Sequence, residues 1–497
     1  MKKRNYNLGL FRQIEELTLR FEASAREVVL LREENRLLRE ACESIRVHFT
    51  AELEKAHAEI ERLKAQLNKN SSNSSKPPSQ DGPQKVPSLR EKSERPRGGQ
   101  PGHPGRSLVL PEELEKLLRD GLANVEDVDH TGGTFGYCDV CYELDLKSVL
   151  VIRRHFYPLG ELPPEKRNRV TYGSDVKTLA TYLSVHSQVS LRRVADLIRQ
   201  LSHGIINLSD ASIGNFSRRL ARRLEPELER VRTDLLNGPV LHVDETPVDV
   251  TQKPDYSGVD AVMRDSSHTS FSACLRTHSN EQSTLLTVNP HKDKQGCLRD
   301  KILPLFVGIL SHDHDSKFYN YGTIHATCNA HLLRELTSIA EQKIAWGDEM
   351  SGLLRAMNAH KDEDLKEGKA QCSPDMLASF EKQFDEMLEN GRDTLGNLRQ
   401  YAPGRDELRR IVARLTERKD CYLLFMRDYL APFTNNQAER DLRPSKTKLK
   451  VSGCFRSWEG VSAFAAIQSF VSTAKKRSLN VFEAIRKAFA STPVLGY

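Results

Sequence analysis

Between Ile14 and Leu67 the chain contains neither proline nor glycine, and apolar residues recur on a three-four heptad spacing: Ile14, Leu17, Phe21, Val28, Leu31, Leu38, Ile45, Phe49, Leu53, Ile60, Leu63 and Leu67. That spacing lines them up along one seam of a helix and predicts a coiled coil over 14–67, with a parallel dimer as the natural arrangement. Asn35 falls on the seam where an a-type residue is expected, and the steps of four on both sides of Phe49 shift the register as a stutter does. Ser24 and Cys42 weaken the repeat, so the rival arrangement is a long helix folded back on its own chain.

At Asn68 the pattern stops. Over 68–108 the composition turns to Ser, Asn, Pro, Gly and basic residues, including Lys69, Lys76, Lys85, Arg90, Lys92, Arg95, Arg97 and Arg106. Such a stretch has too little apolar surface to form a core, which predicts a basic flexible linker. Its positive excess also suits a nucleic-acid backbone. A short helical pattern at 111–122 opens a small cysteine-containing region, 109–170. There Cys138-Asp-Val-Cys141 is spaced as in half of a zinc knuckle. Tetrahedral Zn²⁺ needs two more ligands, and His130 and His155 form no second recognisable pair, so two ordinary thiols are favoured over zinc.

Helical periodicity returns at 176–201 and 210–224 within a helical region, 171–232, and the loop between the two holds Gly204, Asn207 and Ser209. The second pattern carries Arg218, Arg219, Arg222 and Arg223 and resembles a helix-turn-helix recognition element. Any basic amphipathic helix in a bundle has the same look.

Strand patterns follow. Gly238 to Pro247 begins apolar and β-branched and ends in charge, which predicts a buried strand delivering Asp244 at its tip. Asp244 shares a strand face with His242, and Glu245 points the other way. Further strand patterns occur at Ala261 to Arg264, Ser270 to Thr277 and Leu305 to Leu310. The last runs into Ser311-His-Asp-His-Asp315, where Asp313 and Asp315 have the same parity, so spacing does not choose between them. In Thr434-Asn-Asn-Gln-Ala-Glu-Arg-Asp-Leu-Arg443, Asn436, Glu439 and Arg443 occupy one helical face, and Pro444 is expected to end or kink the helix. Two aspartates and a glutamate can hold a pair of Mg²⁺ ions for phosphoryl transfer. Spacing alone does not establish this in a chain with 68 acidic residues.

Composition bounds the reading. Mean hydropathy is −0.55 and no apolar run approaches the roughly 20 residues a bilayer crossing requires, so no membrane association is expected. Met1 to Arg20 is charged and has no secretory pattern. Nine cysteines, an odd number, fit reduced thiols in a protein that stays inside the cell. The net charge of +6 is small, but Lys446, Lys448, Lys450, Arg456, Lys475, Lys476 and Arg477 concentrate basic charge near the C-terminus, where phosphate positioning is the expected use.

Several segments are specific in wording as well as in pattern. They are Leu67-Asn-Lys-Asn-Ser-Ser-Asn-Ser-Ser-Lys-Pro-Pro-Ser-Gln-Asp81, Gly98-Gly-Gln-Pro-Gly-His-Pro-Gly105, His242-Val-Asp-Glu-Thr246, Cys328-Asn-Ala-His-Leu-Leu-Arg-Glu-Leu336 and Thr434 to Pro444, continuing through Lys446 to Arg456. In this order they resemble a transposase of the insertion sequence 66 family, from the end of the heptads to Phe489. The resemblance implies an α/β fold: a ribonuclease H-like mixed sheet flanked by helices, its first part over 238–334, a helical insertion over 335–428 before the last acid, and the remainder with a basic C-terminal region over 429–497. It implies a DDE triad of Asp244, Asp313 and Glu439 that holds Mg²⁺ or Mn²⁺, two ions in all, and joins transposon ends to target DNA.

Arg218, Arg219, Arg222, Arg334, Arg440, Arg443, Lys446, Lys448 and Lys450 are then the expected DNA contacts. Cys328 and His331 resemble a Cys-x-x-His element with a structural or positioning role. The expected partners are DNA, further copies of the chain and accessory proteins of the same element, in a bacterial cytoplasm at the nucleoid. The sequence departs from the family pattern around Cys138, where fuller cysteine-rich knuckles are usual, and at Ser316 and Lys317. Two rivals stand beside this reading: a noncatalytic DNA-binding accessory or regulatory protein, and a ribonuclease H-like nuclease that cuts without joining.

Overall fold

The computed structural model describes residues 2–70, 73, 114–120, 125, 144, 149–158, 170–252, 271–290, 292–490, 492, 494 and 495. The expected linker over 68–108, the strand at Ala261 to Arg264 and the Cys138–Cys141 pair lie wholly or largely outside these residues. In chain order the helices are α1 (Lys2–Leu67), α2 (Leu114–Arg119), α3 (Ser174–Thr181), α4 (Leu191–Leu201), α5 (Asp210–Asn237), α6 (Lys294–Asp300), α7 (Asn329–Glu341), α8 (Trp346–Lys366), α9 (Pro374–Asn397), α10 (Arg405–Glu417), α11 (Lys419–Arg427), α12 (Asn436–Ser452), α13 (Trp458–Lys476) and α14 (Val481–Phe489). The strands are β1 (Val240–Val250), β2 (Phe271–Ser279), β3 (Thr284–Asn289), β4 (Ile309–His312) and β5 (Ile324–Thr327). They form one mixed sheet in the order β3-β2-β1-β4-β5. β1, β2 and β3 pair as an antiparallel meander, and β4 and β5 are parallel.

The chain divides into two compact units. The first comprises residues 1–86 and 308–435. Its helix α1 is continuous over 66 residues, longer than the heptad seam, and is laced with short-range ion pairs such as Arg36 with Glu33 and Glu40. Seam residues stay exposed, Leu17 at 65% and Phe21 at 76%, so they are not buried by folding back on the chain. The stretch 335–428 is helical. Its core gathers Leu336 and Ile339 of α7, Met350, Leu354 and Met357 of α8, Phe384 and Leu388 of α9, Leu408, Ile411 and Leu415 of α10, and Tyr422, Phe425 and Met426 of α11.

Helices α7 and α8 pack closely because position 347 is glycine. A Cβ there would lie 2.5 Å from the Leu336 carbonyl oxygen and 3.0 Å from the Ala340 nitrogen, both backbone atoms of α7. Gly347→Ala should therefore lower stability by about 1–3 kcal/mol, read as a lower urea midpoint at unchanged slope.

The second unit comprises residues 87–307 and 436–497. The helix expected over 176–201 is divided here: α3 passes into a π-helical turn, Tyr182–His186, and the chain reverses at Gln188, whose φ is 55°, before α4 begins after Ser190. The polar run Ser187-Gln188 interrupts the apolar face, and Gln188 Nε2 donates instead to the Pro444 carbonyl at 2.7 Å. α5 is longer than its predicted counterpart. It is capped by Ser209, whose Oγ accepts from the Ser212 amide at 3.1 Å, and it continues to Asn237 on the buried face formed by Ile213, Phe216, Leu220, Leu224, Val231 and Leu235. That face packs on α13, which also covers β3.

Candidate catalytic acids

β1 does not stop at Asp244. It pairs with β2 as far as Val250↔Phe271, so the charge at 244 and 245 lies within the strand and not at its tip. The physical reason is a change of buried face. Leu241, Val243 and Glu245 are covered on one side at the start, and Thr246, Val248 and Val250 are buried on the other side farther on, so each half has an apolar anchor. Asp244 is half-buried, and its Oδ1 accepts from the Glu245 amide at 2.8 Å.

Which layer covers Asp244 follows from cross-strand pairing, because directly opposed residues share a face. His242 opposes Ser279 and Asp244 opposes Thr277, so Ser279 marks the Asp244 face. Ser279 Oγ donates to Asp441 Oδ2 of α12 at 2.6 Å. α12 therefore lies on that face, and Phe455, just beyond its end, bonds the Asp249 carbonyl beside Val250. Glu439, half-buried in the first turn of α12, belongs to the same layer as Asp244.

Asp441 anchors that layer. Its carboxylate also accepts from Thr284 Oγ1 at 3.0 Å and Lys476 Nζ at 2.8 Å, and Lys476 further donates to Ser279 Oγ and the Asn280 and Ser283 carbonyls. Burial pushes the Lys476 ammonium below its ordinary range, and Asp441 opposes the shift. Lys476, expected from the sequence to position phosphate, holds α12 instead. Arg477 is similarly engaged by Asp234 at 2.6 Å. Pro444 neither ends nor visibly divides α12, which runs on to Ser452.

On the opposite face of β1, Glu245 meets the fully buried Arg276 of β2 through Oε2, at 3.1 Å from Nε and 2.9 Å from Nη2. Arg276 also donates to Asp300 at the end of α6, and Asp300 accepts from Asn289 of β3. Burial pushes Asp300 up, but His278 and Arg276 outweigh it and hold the carboxyl below its ordinary range; burial pushes the His278 imidazole below its ordinary range, and Asp300 opposes that shift.

Asp313 belongs to the other unit and follows β4 directly. The strand is shorter than the apolar run: Leu305 and Val307 are exposed, and pairing begins at Ile309. Asp315 is committed to Lys317, whose Nζ lies 2.7 Å from Oδ2. Asp313 accepts the Asp315 amide on Oδ1 at 3.1 Å, and its Oδ2 makes no hydrogen bond among the described residues. Beside it, His312 is buried, its Nε2 3.1 Å from His325 Nδ1, and burial pushes it down to about 3, so the ring is neutral.

Cys328 is buried at the start of α7, where its Sγ accepts from the Asn435 amide at 3.1 Å and its own amide donates to the His312 carbonyl at 2.9 Å. It thus fixes the segment that leads into α12. His331 lies half-buried one turn on, its ring 6.4 Å from that of His314, and Arg334 is half-buried on the same helix.

The basic residues are dispersed. Arg218 and Arg222 both pair with Glu459 of α13, at 3.5 and 2.9 Å; Arg219 is exposed. On α12, Arg440, Arg443 and Lys450 are exposed, Lys446 and Lys448 half-buried, and burial pushes Lys448 below its ordinary range. Among the described residues no helix is long and apolar enough to cross a membrane.

Comparison with known proteins adds independent findings. The family model described as Transposase IS66 family matches residues 169–463, more than half of the chain, and a second, described as a family of unknown function, matches 14–108. An uncharacterized protein, y4jO, of Sinorhizobium fredii is similar, 32% identical over 116 residues that make up 23% of this chain. The match spans about a third of that relative's length, 33%. No solved structure matches.

Proposed function

The chain belongs to the IS66 transposase family, and on that premise we propose that it is a DNA transposase that binds the ends of an insertion sequence and catalyses metal-dependent cleavage and strand transfer. The observation that carries the reading is the common layer of Asp244 and Glu439, built by pairing of β1 with β2 and by the Asp441 anchor of α12. The sheet order, an antiparallel meander followed by a parallel pair, supports a ribonuclease H-like core. Asp313 completes the proposed triad.

Asp244, Asp313 and Glu439 would hold two Mg²⁺ or Mn²⁺ ions. All three offer hard oxygen donors, and the Asp313 oxygen outside any hydrogen bond fits that use. Such ions supply Lewis-acid stabilisation of the attacking and leaving oxygens of an in-line phosphoryl displacement. The chain's own residues place the DNA around them. Arg440 and Arg443 of α12 bring cations close to Glu439, Lys446, Lys448 and Lys450 extend the basic row along the same helix for the DNA backbone, and Arg334 adds a further cation. Arg218, Arg219 and Arg222 of α5 are proposed to contact the transposon end, with Glu459 exchanged for phosphate, since an exposed ion pair costs little to open. The α1 seam is proposed to pair with a second copy as a coiled coil, and accessory proteins of the same element remain candidate partners.

Labelled transposon ends incubated with the full chain test the reading. Joined product is expected with Mg²⁺, none with EDTA and none with Glu439→Gln. Cleavage without joining would favour a nuclease, and end binding without cleavage an accessory protein.

A further inference from the structure

We propose that His360, Asp364 and Cys372 form a zinc site that clips the turn between α8 and α9 back onto α8, beside Tyr429 in the segment following α11. The three ligand atoms lie within 4.8 Å of one another. In tetrahedral zinc, donors at bonds of about 2.0–2.3 Å sit roughly 3.3–3.8 Å apart, so side-chain adjustments of about an ångström close the site.

Each donor is delivered by local structure. His360 and Asp364 are one turn apart on α8 and share a face. Gly368, with φ of +78°, then reverses the chain and brings Cys372 back, 4% exposed, with its amide donating to the Met426 carbonyl. The His360 ring rests against Phe380, 5.7 Å between centroids. Tyr429 donates its hydroxyl to Asp364 Oδ2 at 2.5 Å, the outer partner that a ligating carboxylate characteristically has. The far side of the clip is already close: the Tyr429 amide donates to the Ala370 carbonyl, and Lys361 donates to the Tyr429 and Ala431 carbonyls.

The donor set selects the ion. Imidazole, carboxylate and thiolate together suit Zn²⁺ and not Mg²⁺, and they leave a fourth position for water. Asp364 Oδ1 accepts from Lys369 Nζ at 2.8 Å, a contact that a metal ion would have to displace. The Lys369 side chain is 52% exposed, so it can return to solvent when metal arrives. Binding forms Zn–N, Zn–O and Zn–S bonds in place of bonds to hydration waters, which return to solvent with one water kept, breaks the Lys369–Asp364 contact and releases the thiol proton to water. One thiolate and one carboxylate then balance the two positive charges of the ion.

The test uses the full chain carrying Cys138→Ser and Cys141→Ser, which removes the other cysteine pair from the readout. After metal is stripped, Co²⁺ should bind with a thiolate-to-cobalt charge-transfer band that one equivalent of Zn²⁺ abolishes. Adding Cys372→Ser should remove the band, and Tyr429→Phe should weaken binding by about 10–100-fold. Lys369→Ala, a surface change that leaves folding intact, should tighten cobalt binding by freeing the carboxylate. Absence of the band in the parent, its persistence at undiminished intensity in Cys372→Ser, or unchanged affinity in Lys369→Ala would overturn the proposal.

Discussion

Asp244→Asn should abolish strand transfer, by about 10³-fold or more, and leave end binding and the unfolding midpoint near wild type. A metal ligand secures several kcal/mol of transition-state stabilisation, and each ~1.4 kcal/mol is a factor of ten in rate. The adjacent Glu245→Gln should behave in the opposite way. Its side chain is 5% exposed and faces Arg276 on the other side of the sheet, away from α12. Stability should fall by about 1–3 kcal/mol, the range for a broken buried hydrogen bond, and the folded fraction should still join DNA ends. Measuring transfer and denaturation on both variants separates the two faces of β1. An active Asp244→Asn, or a folded but inactive Glu245→Gln, would reverse the assignment.

The largest stability effect is expected from Arg276→Met. Arg276 is fully buried between Glu245 and Asp300, and these three residues tie β1, β2 and α6 together, with Asn289 of β3 held to the same aspartate. Removing the buried cation leaves Glu245 with Lys292 and Asp300 with Asn289 and His278 in a desolvated site, and breaking such a buried pair costs about 3–5 kcal/mol. The lost attraction matters less than the negative charge left buried without its guanidinium. The triple variant Arg276→Met, Glu245→Gln, Asp300→Asn should therefore recover much of the loss in urea unfolding. A triple variant no more stable than Arg276→Met would show that directional bonding, not charge burial, sets the cost.

Periodic features were legible in the sequence, and features made by distant partners were not. The heptads of α1 and the apolar face of α5 announce themselves, because a helix that presents one apolar stripe must repeat it. The boundaries misled where the local pattern was ambiguous. The run from Leu305 looks continuous, but Leu305 and Val307 are exposed and strand pairing begins only at Ile309. Pro444 was expected to end or kink α12; it does not end it, and its carbonyl is met by Gln188 from far upstream. Asp313 and Asp315 could not be separated by parity, and the Lys317 ammonium that lies on Asp315 is a contact that parity does not reveal. The motif around Glu439 was readable, but the role of Asp441 within the same motif was not, since its partners Ser279, Thr284 and Lys476 come from three other elements. The same holds for Arg276, whose two acids lie 31 and 24 positions away.

At ~1.5 Å per residue, the 66 residues of α1 span roughly 100 Å, about the length of thirty base pairs of B-form duplex. Any second helix that pairs along this seam must choose an axial alignment over that whole length, and a slip of one heptad moves it by about 10 Å. Leucines and isoleucines penalise such a slip only weakly, because they repeat. Asn35, which bonds the Leu31 carbonyl within its own helix, does not repeat on the seam, so it is the vernier mark against which two such rods would be set.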